Sequence, residues 1–285
     1  MKKNTVLVIS LILIMLINIS PSHAAGNKTS NIYVVKSGDT LSGIANKNGT
    51  SIRVLKATNG LTSDQIYLGQ KLKLTPKKMT VQGQYILMTK EEFRNWLFHN
   101  KFNRKISIIQ HHHTWLPSYK QFNGSNHFEM LKGMENYHVK KMGWKNIAQN
   151  ITTFPDGKVA VSRPFNVAPE GTIGLKANSS GIAIENVGNF DIGHDVMTAE
   201  QKETIVYVTA LLSIKFGLTP SIDSITYHHW WNLKTGERVL DRGAVYDVKT
   251  CPGTGFFGGN STNSATNYFY PLVSRKIQEI LASMH

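Results

Sequence analysis

The chain has 285 residues, 41% of them hydrophobic and 18% charged. That balance excludes a disordered or fibrous chain and suits one medium domain plus a smaller one, or two modest ones. The formal net charge of +14 favours polyanionic partners, but the basic residues are scattered and carry no nucleic-acid recognition motif, which argues against a nucleic-acid binder.

The chain begins with "MKK", a positive stretch, then the apolar run "TVLVISLILIMLINIS", then "PSHA" with the small residues Ser22 and Ala24. This pattern predicts a secretory signal peptide over residues 1–24, cleaved after Ala24. The run is short for a membrane-spanning helix of about 20 residues, so no stable span is expected after processing. Loss of Lys2 and Lys3 takes the charge from +14 to +12, and an exported basic protein meets an anionic cell wall first. Exported chains use cysteines mostly in pairs, yet Cys251 stands alone. It is therefore a cross-link between chains, a buried inert thiol, or a metal ligand or nucleophile.

After a polar lead-in over 25–31, residues 32–74 read as a small β-α-α-β unit. "IYVVK" alternates as a strand does. Asp39 or Thr40 caps a helix over "LSGIANKN", Thr50 or Ser51 caps a second that stops at Asn59-Gly60, and "QKLKL" is the closing strand. The stretch "YVVKSGDTLSGIANKNGTSIRVLKATNGL" with "IYLGQKLKL" resembles a LysM module along its whole length. The resemblance implies binding of N-acetylglucosamine-containing glycans. The groove would lie between Gly38, Asp39, Thr40 and Leu41 on one side and Asn59, Gly60, Leu61 and Ile66 on the other, with Leu41 and Ile66 covering a sugar face.

Residues 75–84, "TPKKMTVQGQ", lack apolar periodicity and read as a linker. Beyond them Thr89 and Glu92 form a capping box for a helix with Phe93, Trp96 and Leu97 on one face. "ISIIQHHH" is strand-like, and "SNHFEMLKGMENYHV" has helical spacing. "NIAQNITTFPDGKVAVSR" gives two strands around a Pro-Asp-Gly turn, and "SSGIAIENVGNF" another strand. Thr198 and Gln201 cap a helix that buries Ile205, Val208 and Leu212 and ends at Gly217. "DSITYHHWW" is the last strand, and the final residues, 263–285, read as a helical segment. Alternating strands and helices predict an α/β domain over 85–262, a central mixed β-sheet flanked by helices.

Three strand ends carry polar chemistry: His111 to His113, Glu185, and His228 with His229. Strand ends form the ligand crevice of open α/β sheets, and Cys251 follows the last strand closely. Because neighbouring side chains alternate, one face presents either His112 or the pair His111 and His113, and His228 is split from His229. One imidazole from each cluster, a thiolate and an open fourth position make a catalytic zinc set. Alternation alone does not say which histidines. His111, His113 and His229 are otherwise a hydrogen-bonded cluster or supports for a ligand imidazole. His138 is expected to pack on its helix, His127 and His194 to lie at the surface, and Trp230 and Trp231 to pack.

Residues 85–260 resemble the zinc-dependent N-acetylmuramoyl-L-alanine amidases of the type shared with phage lysozyme-amidases and animal peptidoglycan recognition proteins. The resemblance implies His112, first of "HHT", His228 in "ITYH" and Cys251 in "KTCPG" as zinc ligands, Glu185 in "GIAIENVG" as catalytic carboxylate and Lys249 as its partner at the oxyanion. Two departures stand out. Gln149 occupies the place of a substrate-polarising tyrosine in "GWKNIAQN", and "WWNLKTGERVLDRGAVYDV" is inserted between His228 and Cys251. The resemblance implies a secreted wall hydrolase that cuts the bond between N-acetylmuramic acid and L-alanine. A purely recognising protein and a peptidase acting within the stem are the alternatives.

Overall fold

The computed structural model describes residues 32–48, 50, 52–74, 80–171, 173–246 and 248–283; the expected signal peptide lies outside them. In the small N-terminal unit, strand β1 (Ile32–Val34) pairs antiparallel with β2 (Lys71–Lys73). Helices α1 (Leu41–Lys47) and α2 (Ile52–Asn59) lie between them in sequence. Its core is Val35, Leu41, Ile44, Ala45, Leu55 and Leu72. The cap of α1 is Thr40, whose Oγ1 accepts from Gly43 N–H at 3.0 Å. Asp39 instead closes the preceding turn, accepting from Lys36 N–H and the Tyr33 hydroxyl.

The segment expected to be wholly linker is not: β3 (Thr80–Gln82) pairs with β4 (Tyr85–Met88) across a two-residue turn. Its residues are exposed, so it carries no apolar alternation for the sequence to show. The capping box before α3 (Lys90–His99) has both of its hydrogen bonds, Glu92 N–H to Thr89 Oγ1 and Thr89 N–H to Glu92 Oε2. The chain continues through β5 (Ile108–His113), α4 (His127–Lys140), β6 (Ile151–Thr153) and β7 (Val159–Val161). Then come α5 (Leu175–Ser179), β8 (Gly181–Asn186), α6 (Ala199–Phe216) and β9 (Ile225–Tyr227). The strands form a mixed sheet in the order β3-β4-β7-β6-β8-β5-β9, antiparallel as far as β6 and parallel from β6 to β9. This is the mixed α/β architecture expected.

One face of the sheet packs on α6, which buries ten residues because α3 and a C-terminal helix pack on it as well. Thr198 caps α6, and Gly217 ends it with φ 66°. Gln201 does not close a reciprocal box; its Nε2 donates to Val187 O at 3.0 Å, tying the helix start to the sheet. The C-terminal segment, α7 (Thr262–Ser264), a π-helical turn over Ala265–Phe269 and α8 (Tyr270–Ala282), belongs to the same core through Phe269, Val273 and Ile280. The other face carries a second cluster built around Met130, Leu131 and Met134 of α4 with Tyr85, Phe154 and Val187. No helix of the described residues is long and apolar enough to cross a membrane.

Candidate metal centre and groove

Strand register brings the polar strand ends together. In β5, His112 lies opposite Glu185 of the parallel strand β8, and His111 lies opposite Tyr227 of β9. Residues paired across a ladder share a face, whereas neighbours along a strand do not. His112 and Glu185 therefore share the face away from α6, with Thr152 of β6 next in the row. His111 and Tyr227 face the α6 side, where His111 Nε2 meets Thr209 Oγ1 at 3.1 Å among the rings of Phe256 and Phe269. At His228 the chain leaves β9 for a short 3-10 turn, His228–Trp230, and this imidazole arrives beside His112.

The two Nδ1 atoms are 3.1 Å apart, and Cys251 Sγ is 3.6 Å from His112 Nδ1. Three possible metal donors thus lie within 4.8 Å of one another, all buried. The loop carrying Cys251 is fixed from several sides. Cys251 O accepts from His229 N–H at 2.7 Å, Thr254 N–H donates to Asp191 Oδ1, and Gly255 N–H donates to Phe190 O. Gly253 (φ 118°) passes so close to Phe190 that a Cβ there would meet its backbone at 2.5 Å. The neighbouring histidines hold the surround. His113 Nδ1 accepts from Phe190 N–H, and His229 Nδ1 donates to Lys249 O at 2.7 Å.

Burial sets the protonation states. It lowers His228 to about 3, aided by the Lys249 charge, and holds His112 well below its ordinary value. Both are therefore neutral, the form that offers a lone pair. Burial, then the Glu185 carboxylate, pushes the Cys251 thiol up, so without a cation the thiol keeps its proton. Burial raises Glu185 to about 8, opposed by Lys249. The Lys249 side chain is exposed, yet its charge acts on Glu185, His112, His228 and Cys251 alike.

The cluster opens into a groove of about 890 Å³. One wall is α4, with Met130, Met134 and Tyr137, and Trp144, Trp115 and Leu116 continue it. Trp115 and Leu116 are largely exposed, and Trp115 sits in the left-handed backbone region at φ 56°. Thr114 holds this bend, its hydroxyl accepting from Gly188 N–H and donating to Pro117 O. The sequence reading missed this wall; the spacing of Met130, Met134, Tyr137 and His138 on α4 was its signal.

Several expectations are corrected. Gln149 does not line the groove. It is fully buried, and its Nε2 donates to Thr152 Oγ1 at 3.0 Å and to Met134 Sδ at 3.6 Å, so both amide hydrogens are turned into the core and away from a substrate carbonyl. His127 is not at the surface. It is 1% exposed, with Nε2 2.9 Å from Asp156 Oδ2, a partner 29 residues away. His194 is exposed as expected, and His138 packs as expected, against Trp144, while its Nδ1 accepts from Ala148 N–H. Trp230 packs as expected, fully buried against Tyr227.

In the small unit, Leu41 is 2% exposed in the core and cannot cover a sugar. Asn59 spends its amide on Leu55 O, Lys73 O and Lys73 N–H. Gly38 and Gly60 turn with positive φ, and Ile66 packs partly on the core. Tyr67 and Leu68 beside it are exposed apolar groups, at 64% and 75%.

The buried imidazoles make the metal-free protein sensitive to acid. His111 and His228 are lowered to about 3 and His113 to about 4, all chiefly by burial. Stability from a lowered pKa is present above the ordinary value of 6.5 and is lost as pH falls towards the folded value. Between pH 7 and pH 5 each imidazole costs about 2 kcal/mol. Glu185, raised to about 8, works the other way: its contribution is complete below the ordinary carboxyl pKa and lost as pH rises through 8. It returns about 2 kcal/mol over the same interval. Three imidazoles outweigh one carboxyl, so urea unfolding of chelator-treated protein should show a lower midpoint at pH 5 than at pH 7. Equal midpoints would contradict the buried neutral cluster.

Known proteins divide the chain in the same way. A family model described as LysM domain matches residues 33–75, and one described as N-acetylmuramoyl-L-alanine amidase matches residues 102–254. The chain is 30% identical over 154 residues to N-acetylmuramoyl-L-alanine amidase sle1 of Staphylococcus aureus (strain USA300), a match covering 51% of this chain and 41% of that protein. It is 47% identical over 53 residues to cell wall-binding protein YocH of Bacillus subtilis, covering 19% of this chain and 18% of the other. The chain spans less than half the length of either relative. Among solved structures, Drosophila PGRP-LB is similar with a TM-score of 0.44 and 17% identity, covering 60% of this chain and 85% of that one. The amidase match takes in more than half of the 285 residues, and the chain belongs to the N-acetylmuramoyl-L-alanine amidase family.

Proposed function

We propose that this protein is an exported peptidoglycan hydrolase that uses zinc to cleave the amide between the lactyl group of N-acetylmuramic acid and L-alanine. The observation that carries the reading is the juxtaposition of His112, His228 and Cys251 with Glu185 at the head of an open groove. Zinc bonds of about 2.0–2.1 Å to nitrogen and about 2.3 Å to sulfur set tetrahedral donors about 3.3–3.6 Å apart. Two of the three separations here, 3.1 Å and 3.6 Å, are close to that geometry, and the third lies within 4.8 Å. His112 and His228 hold the ion as neutral imidazoles and Cys251 as a thiolate, its proton released on metal uptake.

When bound, zinc supplies Lewis acidity towards water and the scissile carbonyl. The chain's own residues do the rest. Glu185 takes a proton from the attacking water and returns it to the departing alanine amine. Burial holds Glu185 at about 8 even with Lys249 opposing it; the charge of a bound ion would lower it further, to where it would serve as a base near neutral pH. The Lys249 ammonium stabilises the negative charge that develops on the carbonyl oxygen. The α4 wall receives the stem peptide, and the methionines give it an adaptable apolar surface.

The LysM unit holds the enzyme on glycan strands, raising the effective concentration of the amidase domain over its bonds. The basic surface suits a wall bearing anionic polymers. Incubating wall sacculi with zinc-loaded protein, followed by mass spectrometry, tests the reading. Free L-alanine amino termini together with unsubstituted lactyl groups are expected. Wall that is bound but left intact, or cuts elsewhere in the stem, would refute it.

A further inference from the structure

We propose that Gln110 is a positioning residue for the metal centre: its side-chain oxygen accepts a hydrogen bond from Nε2–H of His112 and so leaves Nδ1 of that imidazole to face the ion. The inference rests on the metal-centre reading above. Gln110 precedes His112 by two residues on β5 and so shares its face. Its Oε1 lies 3.4 Å from His112 Nε2, and the residue is fully buried.

The orientation of the Gln110 amide is itself fixed. Its Nε2 donates to Asn178 Oδ1 at 3.1 Å, and Gly181 leaves the space it occupies, since a Cβ there would meet that nitrogen at 2.2 Å. The backbone of His112 is held too, its carbonyl accepting from Asn186 Nδ2 at 2.7 Å. A neutral imidazole has one lone pair, and the nitrogen that carries it is decided by the hydrogen bond the other nitrogen makes. With Nε2 occupied by Gln110, the lone pair falls on Nδ1, the atom that faces His228 and Cys251.

His228 has no such support: among the described residues its Nε2 is buried without a hydrogen-bond partner. The ordering of the imidazole pair therefore falls to Gln110. A polar side chain in an otherwise buried strand, two residues before a ligand, was the signal in the sequence, and it passed unnoticed there. An amide also suits the charge balance. A divalent ion is partly offset by the Cys251 thiolate in the donor cluster, and a neutral acceptor leaves that sum unchanged.

The test measures zinc affinity of the full chain by competition with a chromophoric chelator, for wild type, Gln110→Leu and Gln110→Glu, alongside the unfolding midpoint of each metal-free protein. Gln110→Leu, which keeps bulk and loses the acceptor, is expected to bind zinc about 10- to 100-fold more weakly. Gln110→Glu restores an acceptor, and the amide of Asn178 can turn to meet it, so its affinity should return at least to the wild-type level. A merely structural role would lower the midpoints and leave affinity unmoved. If wild type and Gln110→Leu bind zinc equally, the assignment of Gln110 is overturned while the metal centre stands. It is overturned equally if Gln110→Glu binds as weakly as Gln110→Leu. If wild type takes up no zinc, the metal-centre reading fails, and this inference fails with it.

Discussion

Replacing Glu185 with Gln should lower turnover of wall muropeptides by about 10²- to 10⁴-fold, the usual share of a positioned proton-transfer group, equivalent to about 3–5 kcal/mol of barrier. The substitution keeps shape and volume at a position held by β5 and β6 on either side. It also removes a partly exposed carboxyl whose charged form is disfavoured, so the fold should not suffer. Zinc affinity should stay near that of wild type, since Glu185 is outside the donor cluster. Steady-state kinetics on a defined muropeptide, with metal content measured on the same sample, checks both halves. A variant that loses zinc together with activity would make Glu185 a structural support of the centre. A fully active variant would remove it from the chemistry.

Cys251→Ala should have the larger effect on the metal. It deletes one of three donors outright, so zinc affinity should fall by more than the roughly 10- to 100-fold expected when a supporting group is lost, and activity should fall with it. The loop is anchored by backbone contacts to Phe190, Asp191 and His229, so it should keep its place without the thiol. Calorimetry adds a second signature. Because the imidazoles are neutral and the thiol protonated before binding, zinc uptake by wild type should release the thiol proton near neutral pH, together with whatever Glu185, raised to about 8 in the metal-free protein, gives up as the ion's charge lowers it. Titration in buffers of different ionisation enthalpy reads the number of protons. The variant should release about one proton fewer than wild type. Proton release that is unchanged in Cys251→Ala would mean that the thiol is not the ligand.

The strand ends were legible because a strand's period of two is a local property, visible in "ISIIQHHH" and "GIAIEN". Alternation split each histidine cluster, but choosing His112 and His228 rested on resemblance. The physical reason for the choice is long-range register, His112 opposite Glu185 and His111 opposite Tyr227, and no short window of sequence contains it. The misses share that cause. His127 is buried by Asp156 across 29 residues, Leu41 is drawn into a core by partners on both sides of the small unit, and Gln149 is turned inward by Thr152 in the following strand. Strand β3 escaped because both its faces are exposed, so no pattern of burial marked it.

Three consecutive histidines have a consequence for how this strand finds its place. A slip of β5 by one residue would still deliver an imidazole to the mouth of the groove, so ligand chemistry cannot recognise the mistake. The α6 side can. Ile109 would leave its place among Ile182, Ile205 and Ile225, and Gln110 would enter an apolar layer without Asn178, an unmet amide costing about 1–3 kcal/mol. The proofreading of the metal centre is thus done on the opposite side of the sheet, by hydrocarbon.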